Sequence, residues 1–260
     1  MKKLVAIIGG AALLALVVIS AGAKLFEDPH VAEGRALFQY YCAHCHGAKG
    51  RGDGYNADFM DPRPRDLTDR VEPYMGEQSN DDIYTTLSRD VKEEEEVTDP
   101  EEMWIPAAMP TFKYTLSDKE RWSLVAFVRS LHDHEDEPID FTREMSAERP
   151  HIEVGAPPTL ASLKADEVGT LAERGKHLYE SKFMCFSCHK ISSEGGTVGP
   201  ELDRAGVRLN DKWIFRWTKV PQAIRHDTKM PSFGMSDEEA LAITAYLKTL
   251  REPPPPTPSS

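Results

Sequence analysis

The chain has 260 residues, enough for about two domains of roughly 100–150 residues each. Apolar residues make up 40% and charged residues 28%, an ordinary soluble composition once the first two dozen positions are set aside. The formal net charge of -12 argues against nucleic acid as a partner, because gripping a phosphate backbone needs clustered Lys and Arg.

Lys2 and Lys3 precede an uncharged run from Leu4 to Ala23, which Lys24 closes. As a helix such a run rises ~30 Å, about the thickness of a bilayer core. The leading lysines would stay cytoplasmic while the rest of the chain crosses. Ala21-Gly22-Ala23 also fits a small-x-small cleavage site. Residues 1–26 are therefore expected to be a retained anchor or a cleaved signal segment. Either way the remainder lies outside the cytoplasm: on the periplasmic side of a bacterial cytoplasmic membrane, or free in the periplasm if cut after Ala23.

Beyond that segment the chain repeats itself. Gly34-Arg35-Ala36-Leu37-Phe38 before Cys42 matches Gly175-Lys176-His177-Leu178-Tyr179 before Cys185. Cys42-Ala43-His44-Cys45-His46 matches Cys185-Phe186-Ser187-Cys188-His189. Met109-Pro110-Thr111-Phe112, leading into Ser117-x-x-Glu120, matches Met230-Pro231-Ser232-Phe233, leading into Ser236-x-x-Glu239. Each Ser-x-x-Glu is a capping box opening a helix with an apolar stripe. One stripe runs through Trp122, Val125, Ala126 and Leu131, the other through Leu241, Ala242, Ala245 and Tyr246. Two mostly helical units follow, residues 27–135 and 168–252. Residues 136–167, with Pro138, Pro150, Pro157 and Pro158 and many acids, read as a linker, and 253–260 as a Pro-rich tail. Glu93–Glu96 reads as a solvated loop. The charge is unevenly placed: residues 24–135 hold 13 basic and 24 acidic side chains, residues 168–251 hold 13 and 10.

Cys-x-x-Cys-His is the attachment signature of c-type haem. Two thiols at this spacing can form thioethers to the two vinyl groups of one porphyrin, and the adjacent His supplies the proximal nitrogen. The two copies use Cys42, Cys45, Cys185 and Cys188, which are all the cysteines present, with His46 and His189 as metal ligands. A zinc site would want converging Cys or His pairs, and a thioredoxin-like pair would not need the following His. Two covalently bound haem c groups are expected. For the sixth iron ligand, a Met sulfur raises the reduction potential. Met109 and Met230 stand in the duplicated Met-Pro context, 63 residues after His46 and 41 after His189. Met235 takes the slot of Leu116 in the repeat and reads as core filler. His44 is expected to point to solvent, and Trp213 and Trp217 to form a core stripe on a short helix.

Each unit resembles a class I cytochrome c domain, over about 34–131 and 175–250. The resemblance implies an all-α fold of two tandem domains joined by the Pro-rich acidic linker. In each, the first and last helices would cross at a Gly and an aromatic residue: Gly34, Phe38 and Phe127, then Gly175, Tyr179 and Tyr246. It also implies a Pro carbonyl accepting from the proximal His ring. Pro200, in Gly199-Pro200-Glu201-Leu202, takes that role in the second unit, and Pro64 in the first. The implied function is electron transfer without catalysis. A quinol-oxidising complex and a terminal oxidase are plausible partners, with a basic face meeting the acidic first unit. The alternatives are a peroxidase-like dihaem enzyme and a permanent subunit of a membrane oxidoreductase complex.

Overall fold

The computed structural model describes residues 27–60, 62–68, 74–90, 109–132, 137–155 and 159–251. The apolar N-terminal run, the Glu93–Glu96 loop and the Pro-rich tail lie outside these residues. Among the described residues every regular element is helical, and one isolated bridge, Ile191 to Glu194, is the only strand-like pairing. No helix among them is long and apolar enough to cross a membrane.

In the first unit, α1 spans Pro29–Tyr41. The Asp28 carboxylate accepts from the His30 amide at 2.7 Å, and Pro29 presets the first helical turn. A one-turn helix, α2 (Ala43–His46), carries the first Cys-x-x-Cys-His motif. Helix α3 (Asn80–Ser88) opens on a Ser79/Asp82 box, and α4 (Asp118–Arg129) on the Ser117/Glu120 box. Helices α1 and α4 cross where Gly34 has no room for a side chain, since a Cβ there would run into the Ser123 carbonyl. Phe38 and Phe127 pack beside the crossing with ring centroids 5.0 Å apart. Phe112, Leu116, Leu124 and Val125 complete a dry core.

The second unit repeats this plan. Helix α5 (Ala165–His177) begins ahead of the boundary read at residue 168, because the Glu167 carboxylate accepts the Lys164 amide at 2.8 Å and starts the turn. It ends in a π turn, Leu178–Lys182. Short helices α6 (Ala205–Arg208), α7 (Asp211–Lys219) and α8 (Pro221–Ile224) lead to α9 (Asp237–Thr249). Gly175 meets the Ala242 carbonyl as Gly34 meets Ser123, and the Tyr179 and Tyr246 rings lie 5.4 Å apart. The Lys182 ammonium pairs with Glu239 at 2.9 Å, tying the π turn to the start of α9.

Residues 137–155 are a strap laid along the first unit. Asn80 Nδ2 donates to the Glu137 carbonyl at 2.7 Å, and the Lys119 amide donates to the Ser146 carbonyl at 3.1 Å. Phe141 stacks on His30 at 3.6 Å, the Arg143 guanidinium lies 3.8 Å from the Trp122 ring centre, and Arg149 grips Glu120 with both Nε and a terminal nitrogen. Ile139, Phe141 and Met145 pack on the first core, and Val154 on the second. Isolated apolar anchors without a period are enough to hold an extended segment down.

The units also touch directly. The Ser232 amide donates to Thr115 Oγ1 at 2.9 Å, and Tyr40 Oη donates to the Asp227 carbonyl. The Tyr114 ring lies where a side chain on Gly234, at φ +69°, would stand.

Candidate functional site

Both attachment motifs are built by one helical turn. The His46 amide donates to the Cys42 carbonyl at 2.9 Å, and the His189 amide to the Cys185 carbonyl at 3.0 Å. This brings two thiols and an imidazole out of five consecutive residues, directly beyond the helix-crossing aromatics. Phe38 and His46 have ring centroids 6.4 Å apart.

Each imidazole is oriented through Nδ1. His189 Nδ1 stands 2.8 Å from the Pro200 carbonyl, and His46 Nδ1 stands 3.0 Å from the Arg65 carbonyl. A carbonyl only accepts, so Nδ1 carries the proton and Nε2 keeps its lone pair for a metal. Burial lowers both imidazoles from the ordinary histidine range against the opposing pull of these hydrogen bonds, leaving them neutral.

The acceptor for His46 corrects the choice of Pro64. The Pro64 carbonyl is turned toward Gly52, where a Cβ would collide with it, so the carbonyl one residue on reaches the ring. Gly52 sits at φ +72° and its amide donates to the His46 carbonyl at 2.9 Å, which locks that register. In the second unit Gly199 makes room for the ring itself, because a Cβ there would overlap His189.

All four cysteines are free thiols. Burial first, and then the neighbouring thiol, pushes Cys42 and Cys185 up to about 12. Burial takes Cys45 to about 11 against a hydrogen bond from Asn56. Two thiols and one imidazole in a single turn match the two thioethers and one proximal nitrogen that haem c needs, whereas among the described residues no group of three or more His, Cys, Asp or Glu is placed to hold a metal ion by itself. Arg204, four residues past Pro200, keeps a buried Nε with no hydrogen-bond partner, a donor suited to an acidic substituent. The residues present thus fit haem c in both units.

Met109 packs at the edge of the first core and Met230 is partly buried. Met230 Sδ accepts from Trp217 Nε1 at 3.1 Å, and its carbonyl accepts from Gln222 Nε2 at 2.7 Å. Met235 and Leu116 are both sealed in their cores, at 3% and 0% exposure, which makes Met235 a packing residue. The tryptophans depart from expectation. Ile214, Phe215 and Thr218 form the buried side of α7, whereas Trp213 is 36% exposed and stacks on Trp217 at 5.0 Å. His44 departs too: its Nδ1 is buried without a hydrogen-bond partner, and burial, with the Lys229 charge, lowers it to about 4.

Sequence reasoning missed Arg65 and Asn56, and gave Trp217 a packing role only. Asn56 is wholly buried between the two motifs. Nothing near Asn56 in the chain marks it: one partner, Cys45, is eleven residues away, but the two that join the units lie more than 130 residues away.

The family described as cytochrome c matches residues 31–132, and the family described as cytochrome C oxidase, cbb3-type, subunit III, matches residues 170–247. No curated protein matches the chain. Among solved structures, a chain of the Kuenenia stuttgartiensis reducing HAO-like protein complex is 24% identical, covering 85% of this chain and 96% of that one with a TM-score of 0.28. Each matched region is thus a cytochrome c domain with an attachment motif inside it, and the chain carries two covalently bound haem c groups.

Proposed function

We propose that this cytochrome is an exported electron carrier, tethered to the cytoplasmic membrane by its N-terminal run, that passes single electrons between larger redox partners. The observation that carries this reading is the pair of neutral, carbonyl-anchored imidazoles, each in a unit that also holds a partly buried Met-Pro element. Bound haem c supplies reversible one-electron chemistry at iron. His46 and His189 would give the proximal nitrogens, Met109 and Met230 the opposing sulfurs, and the four cysteines the thioethers. Held by a His nitrogen and a Met sulfur in each unit, the iron would offer no open place for oxygen, peroxide or another substrate. The work left to the chain is to set two potentials and present docking faces.

The acidic first unit suits a basic partner face, and salt should weaken that docking first. The match of the second unit to a cbb3-type oxidase subunit family favours an oxidase-type acceptor, with a quinol-oxidising complex as donor. The same match favours a second reading, permanent membership of such a complex. Co-purification of stoichiometric partners after mild detergent extraction would select it over a free tethered shuttle.

The test is the optical spectrum of purified holoprotein with haem per chain quantified. Two low-spin haems, both showing the weak near-infrared ferric band of thioether ligation, are expected. A high-spin or bis-histidine haem would overturn the double Met assignment and bring a peroxidase-like activity forward.

A further inference from the structure

The two attachment motifs meet each other, and one side chain joins them. Asn56 is 0% exposed. Its Nδ2 donates to Cys45 Sγ at 3.7 Å on its own unit and to the Ser187 carbonyl on the other. Its Oδ1 accepts from the Thr197 amide at 3.2 Å. Ser187 lies inside the second Cys-x-x-Cys-His motif, and its hydroxyl donates to Cys188 Sγ at 3.8 Å. Gly196 closes the arrangement, because a Cβ there would strike both the Ser187 carbonyl and Asn56 Oδ1. A bonded and hydrogen-bonded route therefore runs from Cys45 through Asn56 and Ser187 to Cys188.

A second link joins the methionine sides. Thr115 follows the Met109-Pro110-Thr111-Phe112 element and accepts from the amide of Ser232, within Met230-Pro231-Ser232-Phe233. Asn56, Thr115, Ser187 and Ser232 are all buried, so the Asn56–Ser187 and Thr115–Ser232 contacts are shielded from water, while Thr197 stands at the exposed edge. A buried side-chain amide whose oxygen, and whose only bond to an oxygen acceptor, find partners across a domain boundary favours one arrangement of the two domains, since any other leaves those bonds unmade.

We infer that Asn56 is a positioning residue that locks the two haem-attachment motifs together and couples the two units into a single redox pair. This rests on the reading above that each unit holds a one-electron centre. In the coupled exchange one electron leaves the reduced centre and enters the oxidised one, with no bond made or broken and no proton moved.

The test uses full-length holoprotein and Asn56→Ala. Flash reduction of partly oxidised wild-type protein should show an exchange phase whose rate is independent of protein concentration. In Asn56→Ala, with two haems per chain and unchanged individual spectra, the loss of two cross-domain hydrogen bonds should raise the ratio of open to closed molecules about tenfold or more, and that phase should slow and lose amplitude. Small-angle X-ray scattering should show the units further apart. If Asn56→Ala fails to mature, Thr115→Val removes the methionine-side link and should shift both readouts in the same direction. A wild-type phase that scales with concentration, or variants with unaltered exchange and scattering, would overturn the inference. Scattering reports the lock whatever the haem spectra show, so failure of the carrier reading and failure of the lock are told apart.

Discussion

Replacing Trp217 by Phe should lower the potential of the second haem and leave the first nearly unchanged. Trp217 Nε1 donates to Met230 Sδ at 3.1 Å, while its ring stacks on Trp213. A thioether sulfur has two lone pairs, so Met230 could ligate iron with one and accept this N–H with the other. The hydrogen bond withdraws electron density from sulfur and penalises ferric iron more than ferrous. A neutral hydrogen bond contributes about 0.5–1.5 kcal/mol net. Only its difference between the two oxidation states moves a potential, so ~0.5–1 kcal/mol is the relevant size. At 59 mV per tenfold for one electron, that converts to a fall of about 20–40 mV. Phe keeps the aromatic packing and removes the donor, which separates the hydrogen bond from ring loss. Spectroelectrochemical titration of the holoprotein would read two midpoints, one moved down and one steady. Neither moving, or the affected midpoint rising, would refute the assignment of Trp217 as the donor that tunes Met230.

Three further outcomes follow from particular contacts. Gly34→Ala and Gly175→Ala should each destabilise their own unit by about 1–3 kcal/mol, because the new Cβ meets a backbone carbonyl of the crossing helix; thermal unfolding would show a midpoint several degrees lower. Gly199→Ala should drive the His189 ring out of line and reduce haem content from two per chain toward one, while Pro64→Ala leaves His46 with its Arg65 acceptor and the first haem in place. Glu120 is raised by burial but brought below its usual 4.5 by Arg149 and the Ser117 amide. Its stabilisation is therefore present above pH 4.5 and lost as pH falls through the folded value, so Glu120→Gln should cost ~1 kcal/mol near pH 7 and flatten the acid limb of a stability–pH profile.

Much of this molecule could be read from its residues, because the features concerned are local or duplicated. The capping boxes at Ser117 and Ser236, the attachment turns and the Gly–aromatic crossings each involve residues a few positions apart or motifs that occur twice. The choice of Pro64 failed because the carbonyl that reaches His46 depends on how Gly52 packs against a loop a dozen residues on. Trp213 and Trp217 have helical spacing, which places them on one face of α7 without saying that Ile214 and Phe215 take the buried one. Asn56 and the strap anchors Ile139, Phe141 and Met145 are single residues with distant partners, and no period or motif announces them.

The strap also sets how far apart the two units can go. Arg149 holds it to the first unit and Val154 packs on the second, so five Cα-to-Cα steps separate firm attachment on one side from contact on the other. Fully extended, that span is at most ~18 Å. A tether this short holds each unit at an effective concentration of about millimolar or more around its neighbour. An interface too weak to join separate molecules can then form within one chain, while the share of closed molecules still follows the hydrogen bonds that hold it. The Asn56 and Thr115 contacts can consequently be few and still hold, and a proteolytic nick between residues 149 and 154 should loosen the pair more than the loss of either hydrogen-bonded link.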